Sequence, residues 1–149
     1  MPGLVGTGDG RTMGEEMRIE SQEEYDIEDE TKNIDGYALN DIGIVLNGNQ
    51  MSLVDLKKNM AYVHTACRDK KWYVSTGLSI QHGTCFGFGG PLTFGGLSFA
   101  TKKISEVHGF REIKKTLESN MGNDQDVEAC RSLIKMIDEY CNEEQPELF

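Results

Sequence analysis

The sequence has 149 residues, which is room for one domain of ordinary size. Its 15 lysines and arginines stand against 25 aspartates and glutamates, and this net charge of −10 argues against nucleic acid as a whole-molecule partner, because phosphate binding requires a basic surface. Only 38% of the residues are hydrophobic, so we expect part of the chain to lie outside the core.

The charge is distributed unevenly along the chain. Residues 1–50 contain 3 basic and 12 acidic side chains, residues 51–104 contain 7 and 2, and residues 105–149 contain 5 and 11. An acidic head and an acidic tail therefore flank a basic middle, which the whole-chain charge conceals.

Signals for targeting are missing from the sequence. It has no run of about 18 apolar residues that would span a membrane, and its first residues do not follow the pattern of a secretory signal. Four cysteines without a secretory context are typical of free thiols in a reducing compartment. We therefore expect a cytoplasmic protein.

Three segments are predicted. Residues 1–33 form an acidic extension with too little apolar surface to fold alone, although the capping-box pattern of Ser21 and Glu24 leaves a short helix possible. Residues 34–142 form the domain. Residues 143–149 form a flexible tail.

The first half of the domain is predicted as two strands and a helix. Residues 37–39 and 42–46 are rich in residues that favour strands, and Asn47-Gly48 is a strong turn signal. A capping-box pattern at Ser52 and apolar residues at helical spacing then predict a helix over 52–65.

Residues 72–81 give the clearest strand pattern of the sequence. Apolar and polar residues alternate, which predicts a half-buried antiparallel strand with a mostly polar outer face. Further strands are predicted over 84–88 and 97–102, and glycines and Pro91 supply the turns between them.

The C-terminal part is predicted to be largely helical. Residues 104–119 fit a strand that runs into a short helix, and an apolar stripe from Val127 to Cys141 predicts a helix capped by Asn123 or Asp124. We therefore expect an α+β fold, with an antiparallel sheet flanked by helices and the C-terminal helix packed on the sheet.

Two His-x-x-Cys pairs raise the possibility of site chemistry. His64 with Cys67 and His82 with Cys85 provide four ligand types that bind zinc, and Cys85 beside His82 could be a thiol nucleophile. The order of the ligands is unusual for zinc, and no third group orients the thiol, so buried thiols are the simpler interpretation. Residues 87–96 are rich in glycine but lack the pattern of a phosphate-binding loop. We expect no catalytic site, no metal and no cofactor.

The order of these elements resembles that of the profilins. The segment from Trp72 to Gln81, followed by Cys85, is similar to the central strand of that family. Met51–Leu56 resembles the segment that enters the family's second helix, and the distance along the chain from Gly77 to the segment 130–137 matches the family's C-terminal helix. The acidic head, in place of a helix that bears a tryptophan, departs from the family pattern, and residues 86–120 align poorly with it.

The resemblance implies a profilin-like regulator of actin polymerisation. Such a protein binds monomeric actin and proline-rich segments, and phosphoinositide headgroups are a further possible ligand. The resemblance places Tyr73, Lys102 and Lys103 in the actin-binding surface. The polyproline-binding residues that it implies are Trp72, Met136, Ile137 and Tyr140. It also implies a cytoskeleton-associated protein that is a monomer.

Three further hypotheses follow from the charge and the element order. The acidic head could fold back onto the basic middle and compete with a partner, which deletion of residues 1–33 would test. The same element order also fits a dimeric scaffold of the roadblock or longin type, which pairs through a sheet edge or a helix face. A small zinc-binding protein built on the two His-x-x-Cys pairs is the remaining alternative.

Overall fold

The computed structural model describes residues 16–24, 32–81, 87–121 and 127–144. Within these ranges the chain forms an α+β fold with seven strands and two helices. The strands are β1 (Met17–Gln22), β2 (Lys32–Ile34), β3 (Tyr37–Leu39), β4 (Asn49–Val54), β5 (Met60–Arg68), β6 (Lys71–Ser79) and β7 (Gly87–Gly89). The helices are α1 (Lys102–Ser119) and α2 (Val127–Glu144).

Five of the strands form one antiparallel sheet in the order β1-β4-β5-β6-β7, and β2 and β3 form a separate hairpin. Both helices cover the same face of the large sheet, where Leu53, Val63 and Leu78 pack against residues of α1 and α2. We call this the helix face and the opposite side the outer face. The predicted antiparallel sheet with helices is therefore confirmed, and the C-terminal helix packs on α1 and on β4.

The helix predicted over residues 52–65 is wrong, because this segment forms the end of β4, a turn and most of β5. The apolar residues Leu53, Leu56, Met60 and Val63 fit helical spacing, but only some of them are buried, and Leu56 is exposed. The segment instead pairs as part of a sheet, since Leu53 lies opposite Ala61. Burial alternates with the two-residue period of a strand over residues 60–65 of β5.

A buried carboxylate makes the turn between β4 and β5. The Asp55 side chain accepts hydrogen bonds from the backbone N–H groups of Lys57 and Asn59, both at 2.9 Å. Asn59, which is also buried, donates its side-chain amide to the same carboxylate and accepts from the backbone of Gln81. The pattern that resembles a helix cap at Ser52 therefore belongs to the end of β4 and to a tight turn that three hydrogen bonds to Asp55 close.

The strand predicted over residues 72–81 is confirmed as β6. It follows β5 through a two-residue turn at Asp69 and Lys70, whose φ angles of 55° and 64° are typical of the turn that matches the twist of a hairpin. Its outer face is less exposed than the sequence predicts. Ser75 is only 8% exposed, and the ring of Tyr62 lies so close to Gly77 that a side chain at this glycine would displace it.

Helix α1 covers all of residues 104–119, so the helix predicted at the end of this segment is confirmed and the strand predicted at its start is wrong. The strand predicted over 97–102 is not formed either, because residues 97–101 are irregular and Lys102 already belongs to α1. Only Phe99 makes a strand-like bridge, to Trp72. The helix begins at Thr101, whose hydroxyl accepts a hydrogen bond from the Ile104 N–H at 3.1 Å. Gly109 lies in the middle of α1 because the helix packs very closely on the sheet, and a Cβ atom there would meet Val63 at 2.7 Å.

Helix α2 confirms the C-terminal helix predicted by the apolar stripe. Cys130, Leu133, Ile137 and Cys141 are buried in the core that α2 shares with α1 and the sheet. Residues 123 and 124, predicted as its cap, lie outside the described residues. The helix continues to Glu144, so the predicted tail does not begin at residue 143.

The N-terminal boundary predicted at Ile34 does not mark the start of the sheet. Met17–Gln22, assigned to the acidic extension, is strand β1 and pairs with β4 along its length. A helix over residues 21–32 is not present in the described part of this segment. Residues 1–15 and 25–31 lie outside the described residues.

A second, smaller core lies on the outer face. Leu39, Val45, Ala66 and Leu92 are buried together there, and the ring of Phe94 packs nearby. The strand predicted over 42–46 is reduced to an isolated bridge between Leu39 and Val45. This core holds the loop after β7 against the sheet, which shapes the site described next.

Candidate functional site

The three residues assigned to actin binding by resemblance lie on opposite faces of the sheet. Tyr73 lies on the outer face, where its ring meets Phe94 with the ring centroids 5.5 Å apart. Lys102 and Lys103 begin α1 on the helix face, and Lys102 forms an ion pair of 2.6 Å with Glu20 of β1. The structure does not bring the tyrosine and the two lysines together.

The four residues assigned to polyproline binding do not form one surface either. Met136, Ile137 and Tyr140 are buried in the core, and Tyr140 is only 1% exposed. Tyr140 lies beside Arg18 of β1, and Arg18 is in the same row of the sheet as Leu78 of β6. Trp72 is six residues along β6 from Leu78. At about 3.3 Å per residue, Trp72 is therefore roughly 20 Å along the sheet from the row that contains Arg18.

Tyr140 instead joins a charged network at the β1 edge. Its hydroxyl donates a hydrogen bond of 2.8 Å to the buried carboxylate of Glu106. The Arg18 guanidinium and the Lys103 ammonium lie 5.3 and 5.7 Å from the centre of its ring, which is the range of cation–π attraction. Arg18 also makes two hydrogen bonds to Glu143 on α2. This network fastens β1 to both helices.

Electrostatics keep the acidic members of these pairs ionised. The hydrogen bond and charge of Lys102 lower the pKa of Glu20 below its ordinary value of 4.5. Arg18 lowers the pKa of Glu143 in the same way, chiefly through its hydrogen bonds. Both carboxylates are therefore negative at neutral pH.

The residues of the predicted zinc site are only partly described. His64 and Cys67 are three residues apart on β5, so their side chains point to opposite faces of the sheet and do not converge on one ion. His82 and Cys85 lie outside the described residues. In the part of the chain that the structure covers, no three ligand-type side chains come together as a metal site.

His64 belongs to a polar cluster on the outer face. Its Nε2 atom lies 2.9 Å from the Gln50 Oε1 atom and is the donor, because the amide oxygen only accepts. Gln50 in turn donates to the Ser52 hydroxyl at 2.8 Å, and the Tyr62 ring packs edge-on against the imidazole. Burial lowers the pKa of His64, and Glu23 opposes this shift. We interpret the cluster as a satisfied polar layer of the sheet.

The best candidate site is a gap in the pairing of the β6 edge. At one end, Trp72 and Phe99 exchange two backbone hydrogen bonds of 2.8 Å. At the other end, the Thr76 carbonyl accepts from the Gly90 N–H at 3.1 Å, and β7 pairs beyond it. Every second residue of a strand directs its backbone groups to the same edge, so the N–H and C=O groups of Val74 point outward between these two points.

The chain between Gly90 and Phe99 leaves this edge, because Leu92 packs into the small core of the outer face. The result is a pocket of about 290 Å³, which we call the β6 notch. Its lining residues are Tyr73, Val74, Ser75, Thr76, Pro91, Thr93, Gly95, Leu97, Phe99, His108 and Glu112. The notch thus opens on both faces of the sheet at its edge.

One buried polar atom in the notch is not satisfied within the described chain. The Ser75 hydroxyl is buried and has no hydrogen-bond partner among the described residues. An unpaired buried hydroxyl costs free energy, so a partner supplied from outside would be favourable there. Sequence analysis identified only Tyr73 of this site. The other residues could not be predicted, because the gap in edge pairing depends on the path of the loop that follows β7, which no local sequence pattern specifies.

Comparisons with known proteins do not assign the chain. No family model, no curated protein and no solved structure was found to match it. Within the described residues, neither α1 nor α2 has an apolar stretch that could cross a membrane.

Proposed function

We propose that this chain is a non-catalytic interaction domain that binds an extended segment of a partner protein in the β6 notch. The observation that carries the proposal is the outward-facing backbone of Val74 between two points where the same edge is already paired. An extended segment placed there would continue the hydrogen bonding of the sheet, which is how strand addition gives affinity.

The two walls of the notch set the chemistry of the segment. Alternate side chains of an extended peptide point to opposite faces. One would meet the wall on the outer face, where Tyr73 lines the notch and its ring packs against Phe94. The next would meet His108 and Glu112 on α1, and the lining includes no lysine or arginine. We therefore expect an apolar side chain, proline included, next to a neutral or basic one.

Monomeric actin remains the partner that the resemblance predicts, with proline-rich segments and phosphoinositide headgroups as further ligands. The support specific to actin is that Tyr73 lines the notch. Lys102 and Lys103 are on the other face of the sheet, so one flat contact would not engage all three residues. Actin binding through the notch would then depend on Tyr73 and not on the lysines.

The test is a titration of the isotopically labelled full chain, followed by NMR. The ligands are actin monomer, a proline-rich peptide and an extended peptide of similar length without proline. We expect at least one of them to shift the amide of Val74 together with neighbouring notch residues. Shifts confined to other surfaces, or no binding by any of the three, would contradict the proposal.

A blocking variant provides the matched control. Gly95 lines the notch, and a Cβ atom added there meets only the Thr93 hydroxyl, at 3.8 Å, so Gly95→Leu fills the pocket without disturbing the core. Gly90 is next to the notch, does not line it, and also has room for a Cβ atom. We expect Gly95→Leu to weaken binding by about tenfold or more and Gly90→Leu to leave it nearly unchanged. Equal binding by the two variants would place the ligand elsewhere.

A further inference from the structure

The other edge of the sheet is formed by β1, an exposed six-residue strand. Among the described residues it pairs with β4 and with no other strand. Its side chains from Arg18 to Gln22 are exposed, including Ile19, which is 40% exposed. An exposed edge of this length is a ready template for another strand unless the sequence opposes pairing.

The direction of the β1 backbone groups follows from the register of the sheet. The residue pair next to the tight turn of the β5–β6 hairpin is hydrogen-bonded, and hydrogen-bonded and non-hydrogen-bonded pairs then alternate along the two strands. A residue that bonds to the strand on one side does not bond to the strand on the other side, so the register of each further pair can be followed from β5 to β4 and from β4 to β1. This alternation gives Ile19 its bonds to Ser52 of β4. The N–H and C=O groups of Arg18, Glu20 and Gln22 therefore point away from the sheet.

The same residues carry a self-complementary charge pattern. Arg18 and Glu20 are two positions apart, so both side chains are on the helix face. When a second β1 runs antiparallel to the first with Ile19 opposite Ile19, Arg18 of each copy faces Glu20 of the other. The outward backbone groups of these two residues then bond each other, and the exposed isoleucines meet on the two-fold axis.

No neighbouring register has this property. A shift that keeps the hydrogen-bond parity places Arg18 opposite Arg18 or Glu20 opposite Glu20, and like charges directly opposite each other are destabilising. A shift by one residue places each residue whose backbone groups point outward opposite a residue whose backbone groups point back into its own sheet, so the hydrogen bonds cannot form. Charge and backbone geometry thus select one alignment.

Existing ion pairs extend this pairing into the helices. Within one chain Arg18 binds Glu143, and Lys102 binds Glu20. Across the dimer interface, four charged side chains would then form one row: Glu143 and Arg18 of the first copy, followed by Glu20 and Lys102 of the second copy. Negative and positive charges alternate along this row. The two-fold axis repeats this row, so the interface would contain it twice.

We propose that the β1 edge is a homodimer interface, through which two copies join their sheets into one continuous antiparallel sheet with all four helices on the same side. The sequence-based expectation is a monomer, with a dimeric scaffold as an alternative. The interface is independent of the notch proposal, because the notch lies at the opposite edge of the sheet.

The experiment is sedimentation equilibrium of the full chain from about 1 µM to about 500 µM. We expect a concentration-dependent dimer that weakens with salt. Arg18→Glu alone places glutamate opposite glutamate, and Glu20→Arg alone places arginine opposite arginine. Because each dimer contains the pair twice, we expect each variant to dimerise at least about tenfold more weakly.

Mixing the two variants gives the decisive result. In a mixed dimer, one chain carries only glutamates at these two positions and the other carries only arginines, so every cross-strand pair again joins opposite charges. We therefore expect the mixture to regain dimerisation. Lys115→Glu is the control, since it also reverses an exposed charge but pairs with Glu112 on α1. Circular dichroism checks that each variant is folded. A monomeric wild-type chain at the highest concentration, or no recovery on mixing, would overturn the proposal.

Discussion

Buried polar groups are where single residues determine this fold. Glu106 is 1% exposed, yet its carboxylate is satisfied by the Tyr140 hydroxyl, and the Lys103 ammonium lies 3.8 Å away. Asn59 is fully buried and uses both ends of its amide. Such groups are costly unless paired, so their partners fix the arrangement of neighbouring elements. Sequence patterns do not reveal these partners, which are separated by up to 34 residues.

His64 leads to a prediction on the pH dependence of stability. Burial lowers its folded-state pKa below the ordinary value of 6.5. On acidification the unfolded chain therefore binds a proton before the native state does, and the free energy of unfolding falls as the pH drops through that value. We expect His64→Gln to reduce this fall between about pH 8 and about pH 5.5. Urea unfolding across that range measures it.

The comparison at about pH 8 is the internal control, because His64 is then neutral in both states. There the two chains should differ only by what the substitution does to packing and to the hydrogen bond with Gln50. An identical slope of stability against pH for wild type and variant would show that the pKa of His64 does not change on folding.

At the scale of elements, the sequence predicts those whose period is unambiguous. The alternation along β6 and the apolar stripe of α2 were both sufficient. The segment 52–65 failed because short apolar runs fit both periods, and a turn residue within it decided the outcome. For α1, the close approach of Gly109 to Val63 explains why a glycine, which is unfavourable inside a helix, occurs in the middle of this one.

Asp55 therefore gives a prediction for the β4–β5 turn. Its carboxylate is 2% exposed and accepts three hydrogen bonds. Asp55→Ala removes all three hydrogen bonds and leaves the buried Asn59 N–H and side-chain amide without this acceptor, so we expect a loss of about 3 kcal/mol in the free energy of unfolding. Asp41→Ala is the matched control on an exposed loop, expected to change stability by less than about 0.5 kcal/mol. Similar losses for the two variants would mean that the turn does not depend on this carboxylate.

At the scale of the whole molecule, the charge map has a structural meaning. The acidic head and the basic middle do meet, because Glu20 binds Lys102, but they meet where β1 is a strand of the sheet. The composition of the sequence shows the complementary charges but does not show that β1 belongs to the domain. The alternation of Met17 and Ile19 with charged residues is the pattern that indicates a strand here. It is weak, because the neighbouring residues are mostly acidic and are typical of a segment outside the core.

Truncation at the N-terminus tests this view of the head. Deletion of residues 1–15 leaves β1 in place, and the sequence of these residues offers little apolar surface, so we expect the free energy of unfolding to stay within about 0.5 kcal/mol of the full chain. Deletion of residues 1–24 removes β1, breaks the ion pairs to Glu143 and Lys102, and uncovers the edge of β4. We expect that chain to lose about 2 kcal/mol or more and to aggregate through the new edge. Urea unfolding and light scattering measure both effects, and equal stability of the two truncated chains would show that β1 is dispensable.

The same truncations separate two explanations for any effect of the head on partner binding. Deletion of residues 1–33 also removes β1, so a change in partner binding after that deletion would not demonstrate an inhibitory head. The same change after deletion of residues 1–15 would demonstrate one, because β1 is then still present.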